Sequence, residues 1–190
     1  MAGRYLGRIT VRLTTVFAAA LMTAVAPPAQ AGDIMIAMYA VTAAGVDNKI
    51  GTIRAVDSAK GLLLVPHLTG LKPGHHGFHL HQKPSCSATA PDGKKGPALG
   101  AGGHFDPQKT GHHEGPEGKG HLGDLPYLIV GDNGEANNAV IAPRLKVDDL
   151  WGHALVIHAG GDNYADNPPL GGGGARVGCG IIARGKAAKP

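Results

Sequence analysis

No apolar run in this chain approaches the roughly 20 residues needed to cross a bilayer. The nearest is Val16 to Ala26, with Arg4, Arg8 and Arg12 before it and the small residues of Ala29-Gln30-Ala31 after it. That layout is a secretory signal peptide, cut after Ala31. Residues 1–31 are thus expected to be removed, leaving residues 32–190 as a mature protein exported to an oxidising compartment, without a membrane span. Net charge is nearly absent too. Without the three leader arginines, the 18 Lys and Arg fall to 15 against 14 Asp and Glu, about +1, so no nucleic-acid-binding face is expected. Cysteine occurs only at Cys86 and Cys179. In an exported protein an even pair reads first as a disulfide, with two unrelated buried thiols as the alternative. Such a bond would close a loop of about 93 residues and stabilise the fold by roughly 4–5 kcal/mol in the chain-entropy model. There is no internal repeat, and 190 residues suit one domain with a real core rather than two.

What is present is a series of short alternating or β-branched runs separated by turn signals: 33–42, 49–57, 61–68, 77–81, 127–130, 138–141, 154–158 and 179–183. Their lengths fit strands better than helices. Asp132-Asn133-Gly134 is expected to be a hairpin turn between two of them, since Asn-Gly tolerates positive φ. The fold class is therefore all-β, an antiparallel sandwich or barrel. Two long Gly- and Pro-rich stretches, 83–126 and 159–176, interrupt the strands. Loops of that length in a compact domain usually carry function, so both are expected to form a site. Gly171 to Gly174 reads as a tight loop beside Arg176 rather than a flexible linker.

Histidines supply the chemistry. In Phe78-His79-Leu80-His81, strand alternation turns Phe78 and Leu80 to the core and both imidazoles to the other face. His104, His113, His121 and Asp124 put three imidazoles and a carboxylate within 21 residues, a closed tetrahedral set suited to structural zinc. His79, His81, His104 and His158 form an all-nitrogen set that suits copper(II), with His104 placed to serve both metals. Sulfur ligands that would select copper(I) are missing. Past the leader only Met35 and Met38 remain, both in an expected strand, which points to redox cycling rather than copper storage.

Six motifs in order make the chain resemble a known family. They are His76-Gly77-Phe78-His79-Leu80-His81, Gly102-Gly103-His104-Phe105-Asp106-Pro107, His113-Glu114-Gly115-Pro116, His121-Leu122-Gly123-Asp124-Leu125-Pro126, His158-Ala159-Gly160-Gly161-Asp162-Asn163 and the run from Gly171 to Gly180. The family is the secreted bacterial copper/zinc superoxide dismutases, and the resemblance covers nearly all of the mature chain. It implies a Greek-key sandwich flattened into a barrel, an architecture already attributed to this family. It also implies one copper ion per subunit on His79, His81, His104 and His158, and one zinc ion on His104, His113, His121 and Asp124. His104 would bridge the metals as an imidazolate. Asp162 would accept hydrogen bonds from His79 and His113, Arg176 would guide the anionic substrate, and Cys86 and Cys179 would be bonded. The implied reaction is dismutation of superoxide to oxygen and hydrogen peroxide by alternate reduction and reoxidation of copper. The implied setting is periplasmic antioxidant defence, by a monomer or homodimer.

His67, His75, His112 and His153 have no assigned role. Trp151 is expected at a core or rim position near a strand start, and Lys94, Lys95 and Lys119 as solvated loop charges, with steering by some of them left open. Two rivals remain: a metal buffer, which would need neither Arg176 nor Asp162, and a silent sandwich domain, which would have lost a copper ligand.

Overall fold

Alternating burial along the strands builds this fold, in which every strand pairs antiparallel with its neighbour. A computed structural model describes residues 1, 3 and 32–183. The expected leader, from its arginines to the cleavage site after Ala31, lies outside the described residues apart from Met1 and Gly3. Nine strands follow in order: β1 Asp33–Thr42, β2 Gly45–Ser58, β3 Gly61–Leu68, β4 Gly74–His76, β5 Phe78–His81, β6 Leu128–Val130, β7 Val140–Ala142, β8 His153–His158 and β9 Arg176–Ile182. Seven form one curled sheet in the order β5-β8-β9-β1-β2-β3-β7, and β4 pairs with β6 in a second. This is the expected all-β Greek-key architecture. No described helix is long and apolar enough to cross a membrane.

The core follows the period-2 pattern. Ile36 and Met38 of β1, Ile53 and Ala55 of β2, Leu62 and Leu64 of β3, and Leu155 and Ile157 of β8 enclose Phe78 and Leu80 of β5. Burying each large apolar side chain contributes about 1.5–3 kcal/mol. A second cluster lies on the other face of β8 and β9, where Ala154 and Val156 pack with Val41, Ala98, Ala101 and the cysteines. That is why β8 reads as a continuous apolar run: it is covered on both sides. Cys86 is bonded to Cys179, so the loop after β5 is fastened to β9. Trp151 lies half-buried against the main core just before β8, as expected.

Three expectations are adjusted. The 77–81 run begins earlier and is split at Gly77, so β4 joins β6 while β5 joins β8. The turn at Gly131–Gly134 closes as a short hairpin loop, with Gly134 N donating to Gly131 O and Gly131 N to Glu135 O, each at 2.9 Å, yet β6 and β7 do not pair beyond it. Instead β6 pairs with β4 and β7 with β3, and the returning chain bridges Ala136 to Leu68. Gly134, at φ 78°, takes the left-handed position that a three-residue hairpin loop requires. β9 also starts three residues before the expected 179, which places Arg176 on a strand rather than in the loop.

Candidate metal centre

β5 offers its outer backbone edge to the long loop that follows it. Phe105 N donates to Leu80 O at 2.8 Å, Leu80 N to Gly123 O at 2.9 Å, and Gln82 N to Gly103 O at 3.0 Å. These bonds set His104 opposite His81 and Asp124 opposite His79. His79 and His81 point together away from Phe78 and Leu80, as alternation requires, and both are fully buried. His158 closes β8 at a bulge, where it pairs with Arg176 of β9.

Hydrogen bonds to oxygen fix which ring nitrogens carry protons. His79 Nε2 donates to Asp162 Oδ2 at 2.7 Å, His81 Nδ1 to Gly102 O at 2.9 Å, and His158 Nδ1 to Gly174 O at 3.1 Å. His113 Nε2 donates to Asp162 Oδ1 at 2.7 Å. In His79, His81 and His158 the opposite nitrogen is left as a bare lone pair. Six buried nitrogens have no hydrogen-bond partner: Nδ1 of His79, His113 and His121, and Nε2 of His81, His104 and His158. Buried polar atoms in a folded protein are almost always paired, so six orphans facing one region mark a place for cations.

The donor atoms fall into the two expected sets. His79, His81, His104 and His158 place ring nitrogens within 4.8 Å of one another, and so do His104, His113 and His121 with an oxygen of Asp124. In the second set Asp124 Oδ1 lies 3.0 Å from His104 Nδ1, 2.9 Å from His113 Nδ1 and 3.4 Å from His121 Nδ1. A tetrahedral zinc site with bonds of about 2.0–2.1 Å has ligand–ligand edges of about 3.3 Å, close to these values. His104 alone belongs to both sets. A third group, His79, His113 and Asp162, uses the nitrogens already bonded to Asp162, so it orients ligands rather than adding a site.

The electrostatics favour neutral imidazoles in the set of His79, His81, His104 and His158. Burial pulls His79 down to about 3 and His158 down to about 4, and holds His81 and His104 below the usual histidine range. For Asp124 and Asp162 burial alone would favour protonation, but the His104 and His113 rings beside Asp124, and hydrogen bonds from His113 and His79 to Asp162, outweigh it and keep both ionised. His113 is also pushed down by burial, yet the two carboxylates flanking it win and raise it to about 9.

The family model described as copper/zinc superoxide dismutase (SODC) matches residues 49–182. The chain belongs to the copper/zinc superoxide dismutase family. The enzyme called superoxide dismutase [Cu-Zn] in Escherichia coli (strain K12) is 53% identical over 166 residues, covering 86% of this chain and 96% of that one. The solved Cu/Zn superoxide dismutase from Brucella abortus superposes with a TM-score of 0.77 at 46% identity, covering 80% of this chain and 99% of that one. The solution structure of the monomeric copper, zinc superoxide dismutase from Salmonella enterica gives 0.71 at 52% identity, with the same coverages of 80% and 99%.

As a copper/zinc superoxide dismutase the protein is an enzyme that dismutes superoxide with copper and zinc. Both metals fit its donors: four bare imidazole nitrogens suit copper(II), and three nitrogens with one carboxylate suit zinc. Arg176, half-buried on β9, donates to Ala98 O and Gly102 O, each at 2.6 Å. Burial lowers its pKa, but a guanidinium stays cationic at any ordinary pH.

The unassigned histidines stay outside both donor sets. His67 is exposed, His75 stacks on Tyr127 at 4.6 Å, and His112 pairs with Asp166 at 2.9 Å. His153 packs against Phe105 with the rings tilted by 43°, and its Nδ1 lies 3.1 Å from His81 O. Two residues of this dismutase escaped the sequence reading. Buried His76 touches the main chain of His158, with Nδ1 2.6 Å from His158 O, and its place in the first motif was the available signal. Arg144 binds the loop around His121 through its carbonyls, and nothing in the sequence marked it.

Proposed function

We propose that copper is held by Nδ1 of His79 and Nε2 of His81, His104 and His158, and zinc by Nδ1 of His104, His113 and His121 with Asp124. The six orphaned ring nitrogens carry this reading, and in His79, His81, His104, His113 and His158 the ring's other nitrogen is already engaged by an oxygen. When bound, copper supplies alternating one-electron chemistry, and zinc keeps the shared imidazole oriented and stabilises its deprotonated form. The protein's own groups do the rest. Arg176 attracts and orients the superoxide anion. His104 Nε2 takes up a proton and delivers it to the departing peroxide, so that two superoxides and two protons leave as oxygen and hydrogen peroxide. Asp162 holds His79 and His113 at fixed orientation from one carboxylate.

The leader reading supports removal of residues 1–31, a mature domain of 32–190 and work in the periplasm against superoxide. The bonded cysteine pair agrees with an oxidising compartment. Every ligand comes from one chain, so a monomer is sufficient for activity. Metal content after dialysis tests the assignment residue by residue. Zinc should be lost from His113→Ala but not from His112→Ala, copper from His158→Ala, and both should weaken in His104→Ala. Zinc retained by His113→Ala and lost by His112→Ala would overturn the register.

A further inference from the structure

The loop that carries His113 and His121 doubles back on itself, and one side chain from outside the loop holds both limbs. Arg144 stands just past β7, the edge strand of the larger sheet. Its guanidinium donates from Nε to Pro116 O at 3.0 Å and from Nη1 to Gly120 O at 3.1 Å. Nη2 donates to Gly115 O at 3.2 Å and to His121 O at 2.5 Å. Gly115 and Pro116 follow His113 on the outgoing limb, while Gly120 and His121 form the returning one. The main chain joins the limbs as well, through His121 N to His112 O at 2.8 Å. All four partners of Arg144 are main-chain carbonyls, so the arginine reads the path of the loop rather than any side chain on it.

We propose that Arg144 is a positioning residue for the zinc half of the centre: by clasping both limbs it sets the separation of His113 from His121. The inference rests on the zinc assignment above. A glycine-rich limb without strand pairing has many conformations to lose. Binding energy from the ion would otherwise go to ordering it, and a clasp that orders it beforehand leaves that energy for affinity. The chemistry also specifies arginine. A planar fork with five donors can span four carbonyls in fixed geometry, which the point charge of a lysine cannot.

Zinc affinity measured against a chromophoric chelator, in wild type, Arg144→Lys and Arg144→Ala, tests this. It is read together with the absorption of cobalt(II) in the zinc position and the copper(II) affinity of zinc-free protein. Zinc affinity is expected to fall about 10–100-fold in both variants, as for other residues that orient ligands from behind. The cobalt spectrum is expected to lose tetrahedral intensity while copper(II) affinity stays at the wild-type value. Unchanged zinc affinity and spectrum in both variants overturn the inference. Equal loss at both metal sites, or loss of folding in both variants, would make Arg144 a general stabiliser and overturn it too. A wild-type protein without tight zinc binding would overturn the zinc assignment itself, and this inference with it.

Discussion

His81 and Arg176 donate to the same oxygen. Gly102 O accepts from His81 Nδ1 at 2.9 Å and from Arg176 Nη2 at 2.6 Å, so the proposed copper ligand and the proposed substrate-guiding cation share one anchor. A second bond, from Arg176 to Ala98 O, reaches the same loop, which the Cys86–Cys179 bond ties back to β9. Arginine, loop and ligand are therefore placed as one unit.

Without residues 1–31 the chain is nearly neutral, so attraction of superoxide has to come from local charge at the site. Arg176→Ala is predicted to lower the second-order rate about tenfold, the low end of what electrostatic steering supplies, and to weaken its ionic-strength dependence. Stopped-flow decay across a salt series checks this. A variant as fast as wild type at low salt would remove Arg176 from the mechanism.

Gly171 has φ 70°, and a Cβ built on it would meet Asp162 Oδ1 and, at 2.8 Å, His113 Nε2. The glycine run is thus packed against the hydrogen bond that orients His113, which is why it is not a linker. Gly171→Ala both strains the backbone and pushes Asp162 off His113. Zinc affinity should fall about 10–100-fold, the usual effect of disturbing a ligand's outer partner. Competition with a chelator measures it, and wild-type affinity in the variant would contradict the packing argument.

Stability of the metal-free protein should peak near neutral pH. Folded His79 and His158 titrate at about 3 and about 4, against about 6.5 in an unfolded chain. Below pH about 6.5 the unfolded state binds more protons, so their contribution is full above that value and is lost as pH falls towards 3. His113, raised to about 9, runs the other way: its contribution is present below pH about 6.5 and lost as pH rises through 9. Urea midpoints at pH 4, 7 and 9.5 are expected to be highest at 7. A midpoint that held or rose on going to pH 4 would refute the buried neutral rings.

Strand periodicity made most of the barrel legible, because burial on one face leaves an alternating trace, and β1 and β3 match the expected 33–42 and 61–68 residue for residue. The candidate donor clusters were legible for a related reason: imidazole and carboxylate are scarce, specific donors, and their spacing on a glycine-rich loop has few other uses. Partnerships made by backbone were not. Which strand β6 and β7 choose depends on distant edges, so the Asp132-Asn133-Gly134 signal located a turn without locating its pairing. Arg144 spends its donors on carbonyls, which every residue possesses, and so leaves no pattern in the chain. Gly77 likewise looks like any residue within a strand, although it is where the chain passes from one sheet to the other.

The central claim is that one shared histidine joins a redox copper to a structural zinc in a working dismutase. Its most direct test is the superoxide decay rate of the mature protein loaded with both metals, beside the same protein holding zinc alone. The account predicts fast decay that requires copper and slows as salt is added. Tight binding of both metals with decay no faster than in buffer would contradict it, and would leave a metal-binding protein with a dismutase's ligands.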